Sequence, residues 1–104
     1  MSNPDLDKDF RRLVDTFIHL ANEHLANAKR EHVGMALLYA AARFNSFVVA
    51  AQVGDLPSFD ADRQAALEFL TREYQRMLTE NLDDHRKLLE SGGAGKYEHL
   101  KTQH

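Results

Sequence analysis

The sequence contains no cysteine, no tryptophan, two prolines and five glycines in 104 residues. Without a thiol there can be no disulfide framework, cysteine-based zinc knuckle, iron–sulfur cluster or thiol nucleophile. The scarcity of proline and glycine leaves long stretches without a breaker, which favours helix over a turn-rich β architecture. Basic charge is also in short supply: 13 Lys and Arg stand against 16 Asp and Glu, a formal net charge of -3. That balance offers no electrostatic footprint for nucleic acid. What the chain does have is apolar content, 43% of its residues. At this mass about two thirds of the extended chain's surface could be buried in one domain, with no room for a second core.

Proline stands at positions 4 and 57, and four of the five glycines at 54, 92, 93 and 95. These breakers divide the chain into three helical stretches. Asn3 is placed to cap a helix that opens with Pro4 and carries Asp5 and Asp7 in its first turn, where acids complement the helix dipole. From there Leu6, Phe10, Leu13, Val14, Phe17, Leu20, Leu25 and Ala28 fall on one face at 100° per residue, predicting a first helix over about 4–28. The second helix is expected over about 31–53, and from Val33 to Val53 it is apolar nearly all round, as expected of a helix surrounded by others. Gly54 to Ser58 reads as a turn, with Ser58 or Asp60 capping a third helix over about 59–90. On that helix Leu67, Leu70, Tyr74, Met77, Leu78, Leu82, Leu88 and Leu89 form a stripe opposite a polar face. Residues 91–104 read as a Gly-rich break and a polar tail, with a short helical piece around Tyr97 to Leu100.

The expectation is therefore an all-α, three-helix, up-down-up bundle in one domain, residues 1–90, with the second helix central and buried. A third helix of about 32 residues, roughly 48 Å, overhangs a second helix of about 33 Å. An overhanging apolar stripe predicts cover from another chain, most simply as a homodimer. The acidic, polar start Met1-Ser2-Asn3-Pro4-Asp5 lacks the basic and apolar regions of a secretory signal, so a cytoplasmic protein is expected. The stretch Val33 to Val53 does not read as a membrane span: Arg43 near its centre costs about 2.5 to 3.5 kcal/mol, and its alanines return almost nothing.

Arg43 is the only charged residue between Glu31 and Asp55. A buried Arg needs a carboxylate, and up-down-up registry places Glu73 first and Asp15 second as its partner. Tyr39, Arg43, Asn45, Glu73 and Asn81 are accordingly read as a structural ion pair with neighbouring hydrogen bonds, or as a ligand site. His24, His32 and His85 lie toward one end of such a bundle and are candidate metal ligands. Their stagger of roughly 7 to 15 Å along the axis argues against shared ligation. The Glu-x-x-His spacing of dinuclear carboxylate bundles is missing, as are His-Glu-x-x-His, a phosphate-binding glycine loop and a nucleophile elbow. No cofactor is implied. His19 and Glu23, four residues apart, read as a surface pair, and Phe44, Phe47 and Phe69 as a dimer surface or a protein partner's groove.

The run Leu37-Leu38-Tyr39-Ala40-Ala41-Ala42-Arg43-Phe44-Asn45-Ser46-Phe47, with the segment from Glu73-Tyr74 through Met77 to Glu80-Asn81-Leu82-Asp83-Asp84, resembles a family of short bacterial proteins classified as a domain of unknown function. The resemblance covers about residues 5–90 and implies an all-helical up-and-down fold. It assigns no activity and no catalytic residue. The reading at this level is a noncatalytic homodimeric interaction module; the alternative is a small-molecule- or metal-binding bundle, possibly a small enzyme, with a polar site around Arg43 and the inward histidines.

Overall fold

A computed structural model describes the backbone of residues 4–92 and the side chains of residues 7–92. It contains three α-helices, α1 (Pro4–His24), α2 (Arg30–Val53) and α3 (Leu56–Glu90), and no strand among the described residues. The all-α, three-helix expectation is met. The caps expected at Asn3 and the helical piece near Tyr97 lie outside the described residues.

Two helix boundaries differ from the sequence expectation. α1 stops at His24 rather than near 28. Leu25, Ala26 and Asn27 donate to the carbonyls of Asn22, Glu23 and His24, three residues back, and these tighter bonds close the last turn without glycine or proline. α3 begins three residues early, because Asp55, not Ser58 or Asp60, is the N-cap. Its backbone is extended (φ -144°, ψ 160°), its carbonyl accepts the first helical bond from Phe59 N, and its carboxylate accepts from Ser58 N at 2.9 Å and Ser58 Oγ at 3.1 Å. Pro57 fits in this first turn, where its missing N–H has no helical partner to lose. Gly54, at φ +78°, reverses the chain between α2 and α3 in a conformation that other residues adopt at a cost. Asp55→Ala is expected to destabilise the α2–α3 corner by about 1 kcal/mol, seen as faster amide exchange at Ser58 and Phe59; unchanged exchange there would show that the cap carries no weight.

The chain divides inside α2 into two units, one running to Ala40 and the other from Ala41. In the first, the connection between α1 and α2 folds Leu25 inward to 8% exposure, with Ala21, Ala28 and Val33 half-buried. Away from this corner the apolar face of α1 is open: Phe10, Leu13, Phe17 and Leu20 are all exposed. In the second unit Val48, Val49 and Val53 of α2 are half-buried, as are Phe59, Ala66 and Leu70 near the start of α3. Leu25 is the only buried hydrophobic residue among those described. The expectation of a buried α2 is thus not met within one chain, since α2 has no buried residue. Its all-round apolar composition shows what α2 is suited to, but the described residues leave none of its side chains buried.

Candidate functional site

The α2–α3 hairpin of the second unit forms an open groove of about 460 Å³. Asn45, Val48, Val49 and Gln52 recur on α2 at the i, i+3, i+4, i+7 spacing of one helical face, and Asp62, Ala65, Ala66 and Phe69 repeat that spacing on α3. Small residues on α3 let the valines of α2 approach. Phe69, 53% exposed, forms part of the rim. The groove wall is apolar apart from two amides and one carboxylate, a chemistry suited to an apolar side chain or a small apolar molecule, with few groups to orient a reaction. Sequence reading picked out Asn45 and Phe69 but missed the valines, the alanines and Asp62. Their matching helical spacings were the available signal.

The residues expected to form a polar site do not converge. Arg43 is exposed, and no ion pair joins it to Glu73 or to any other described residue. Glu73 instead accepts from Arg76 at 3.0 Å, and Arg76 also donates to Glu80 at 3.1 Å. Partners three and four residues away on the same helix are always within reach, whereas pairing with α2 would require a long Arg to be held against a facing helix. Tyr39 lies in the first unit and is exposed. Asn81 Nδ2 donates to the Met77 carbonyl at 2.7 Å, one turn back, and Ser46 Oγ donates to the Arg43 carbonyl at 2.8 Å. The surface pair His19–Glu23 is present at 3.4 Å.

No group of three or more His, Asp or Glu side chains is placed to hold a metal among the described residues. His24 and His32 belong to the first unit and His85 to the second.

The hydrogen bond from Arg76 and its charge hold the Glu73 carboxyl below its ordinary value of 4.5, with Arg72 adding to the effect. A lowered carboxylate pKa stabilises the folded state above the unfolded-state value, and that contribution fades as pH falls through the lowered one. Both side chains are solvated, so this is a local helix contact. Arg76→Gln is expected to move the Glu73 titration back up, readable by carboxyl NMR; an unmoved midpoint would refute Arg76 as the cause.

The face of α2 turned away from the groove carries Arg43 and Phe47, with Phe44 beside them. The rings of Phe44 and Phe47 lie 6.0 Å apart and tilted at 47°, and both are exposed. By length and composition α2 is apolar enough to cross a membrane, a test that core helices of soluble proteins also pass.

A family model described as "Protein of unknown function (DUF3144)" matches residues 10–86. Neither the curated proteins nor the solved structures contain a match.

Proposed function

The chain belongs to that family of unknown function, and from its surface chemistry we propose that it is a noncatalytic, self-associating helical interaction module, a homodimer in its simplest form. The observation that carries this reading is the exposure of large apolar side chains on all three helices while Leu25 alone is buried among the described residues. Helices in water draw most of their stability from packing an apolar face, and contiguous exposed apolar surface marks an interaction site. Phe44, Phe47 and Phe69 are the proposed anchors, since aromatics contribute disproportionately to interfaces. Arg43, one turn from Phe47, is proposed to meet a carboxylate of the second copy. Protein surface is a better cover for α2 than lipid, because a mid-helix Arg and an alanine-rich sequence make insertion unfavourable.

A second reading rests on the groove, whose volume of about 460 Å³ lies within the range of small-molecule sites. Its polar groups, Asn45, Gln52 and Asp62, would orient an apolar ligand bearing a hydrogen-bonding end.

Native mass spectrometry of the untagged chain tests both readings. A dimer at micromolar concentration, weakened at least tenfold by Phe44→Glu with Phe47→Glu, supports the module. A helical monomer that stays monomeric on concentration refutes it, and retained extra mass lost on Phe69→Glu favours the ligand-binding groove.

A further inference from the structure

The groove of the α2–α3 hairpin changes in character along its length. Moving away from the Gly54 corner, α2 lines it with Gln52, then Val49 and Val48, then Asn45, and α3 with Asp62, then Ala65 and Ala66, then Phe69. The corner end thus carries a carboxylate and an amide, the middle is aliphatic, and the far end carries an aromatic ring and an amide. From Asp62 to Phe69 the helical rise is about 10 Å, or about two turns. That is shorter than the roughly three turns of an average partner helix, and the volume of about 460 Å³ is that of a small-molecule site.

Charge at the corner end selects the ligand. Asp62 is the only charged residue lining the groove among those described; the neighbouring basic residues Arg43, Arg63 and Arg72 do not line it. Asp62 is exposed, and among the described residues neither its carboxylate nor the side-chain amide of Gln52 is engaged in an ion pair or hydrogen bond. The helix ends act in the same direction. α2 has no basic residue in its last turn to meet the partial negative charge of its C-terminal carbonyls, whereas the positive end of α3 already has the Asp55 carboxylate at its N-cap. A cation is matched at this end of the groove, and an anion is opposed.

We propose that the groove binds a small apolar amine, with its ammonium beside Asp62 and its aliphatic or aromatic body along Val48, Val49, Ala65 and Ala66 toward Phe69. An ammonium has three donors and no acceptor, so the Asp62 carboxylate and the amide oxygen of Gln52 are the groups that complement it. This rests on the ligand-binding reading of the groove and names its ligand class.

Three probes of one shape and different charge test it: phenylbutylamine, phenylbutanol and phenylbutyrate, each titrated into the full chain and followed by backbone amide NMR. The amine is expected to shift the signals of Val48, Val49, Ala65 and Ala66 saturably and to bind more tightly than the alcohol or the acid. Asp62→Asn should lower the amine's affinity by about three- to fivefold, the upper part of the range for a solvated ion pair, and leave the alcohol's unchanged. Glu68→Gln removes the same charge from a residue outside the lining and should leave the amine's affinity as it was. Equal binding of all three probes in the groove, or an amine affinity indifferent to Asp62→Asn, overturns the inference while the groove stands as a site for apolar molecules. If no probe gives a saturable shift at these residues up to millimolar concentration, the groove reading falls with it.

Discussion

The melting temperature of this protein is expected to rise with concentration, by about 3 °C for each tenfold increase, when helicity is followed by circular dichroism. The size follows from linkage. For a dimer that unfolds to separated chains, a tenfold change in concentration is worth about 1.4 kcal/mol per dimer, and two chains of this length have an unfolding entropy of roughly 0.4 kcal/mol/K. The physical basis is the shortage of intrachain burial: only Leu25 is buried among the described residues, and in the proposed dimer the further stabilisation comes from apolar surface removed from water between chains. A monomeric bundle with its own core would melt at a temperature independent of concentration. Scans from about 1 to 100 µM decide between the two, and a flat response would refute the self-association reading.

Leu25→Ala is expected to have the largest effect of any single truncation inside the chain, about 2 to 3 kcal/mol, toward the lower part of the range for buried leucines because the corner can partly collapse. The side chain closes the connection between α1 and α2, with Ala21, Ala28 and Val33 half-buried. No other buried hydrophobic residue in the described chain is available to share its loss. The effect should be local. Hydrogen exchange is expected to quicken in α1 and at the start of α2, while Val48, Val49 and Leu70 in the other unit keep their protection. Uniform loss of protection through α3 would instead show that the two units unfold together.

These expectations separate local from non-local information. The surface pair His19–Glu23 was legible because residues four apart on a helix meet regardless of what surrounds them. Arg76 with Glu73 and Glu80 follows the same rule and could have been found the same way. The Arg43–Glu73 pair was a different kind of inference, requiring two helices to face each other at a particular height and rotation. The alternatives within α3 cost less, and Glu73 took them. The early cap at Asp55 was missed because Pro57 was read as part of a turn, although proline is tolerated in a helix's first turn. The end of α1 was missed because no breaker marks it.

The three helices and the faces they present were determined by the sequence alone, since breakers, caps and the spacing of apolar residues act over a few residues. Membership of the family was likewise legible in the runs around Arg43 and Glu73, and the family model spans residues 10–86. Only the tertiary structure decided that α2 has no buried residue, that Leu25 closes a corner, and that Val48 and Val49 share a groove with Ala65 and Ala66. Burial depends on which distant surface arrives to cover a face, and the hydrophobic effect that drives it is non-directional. Periodicity therefore specifies a face that needs cover without specifying what covers it.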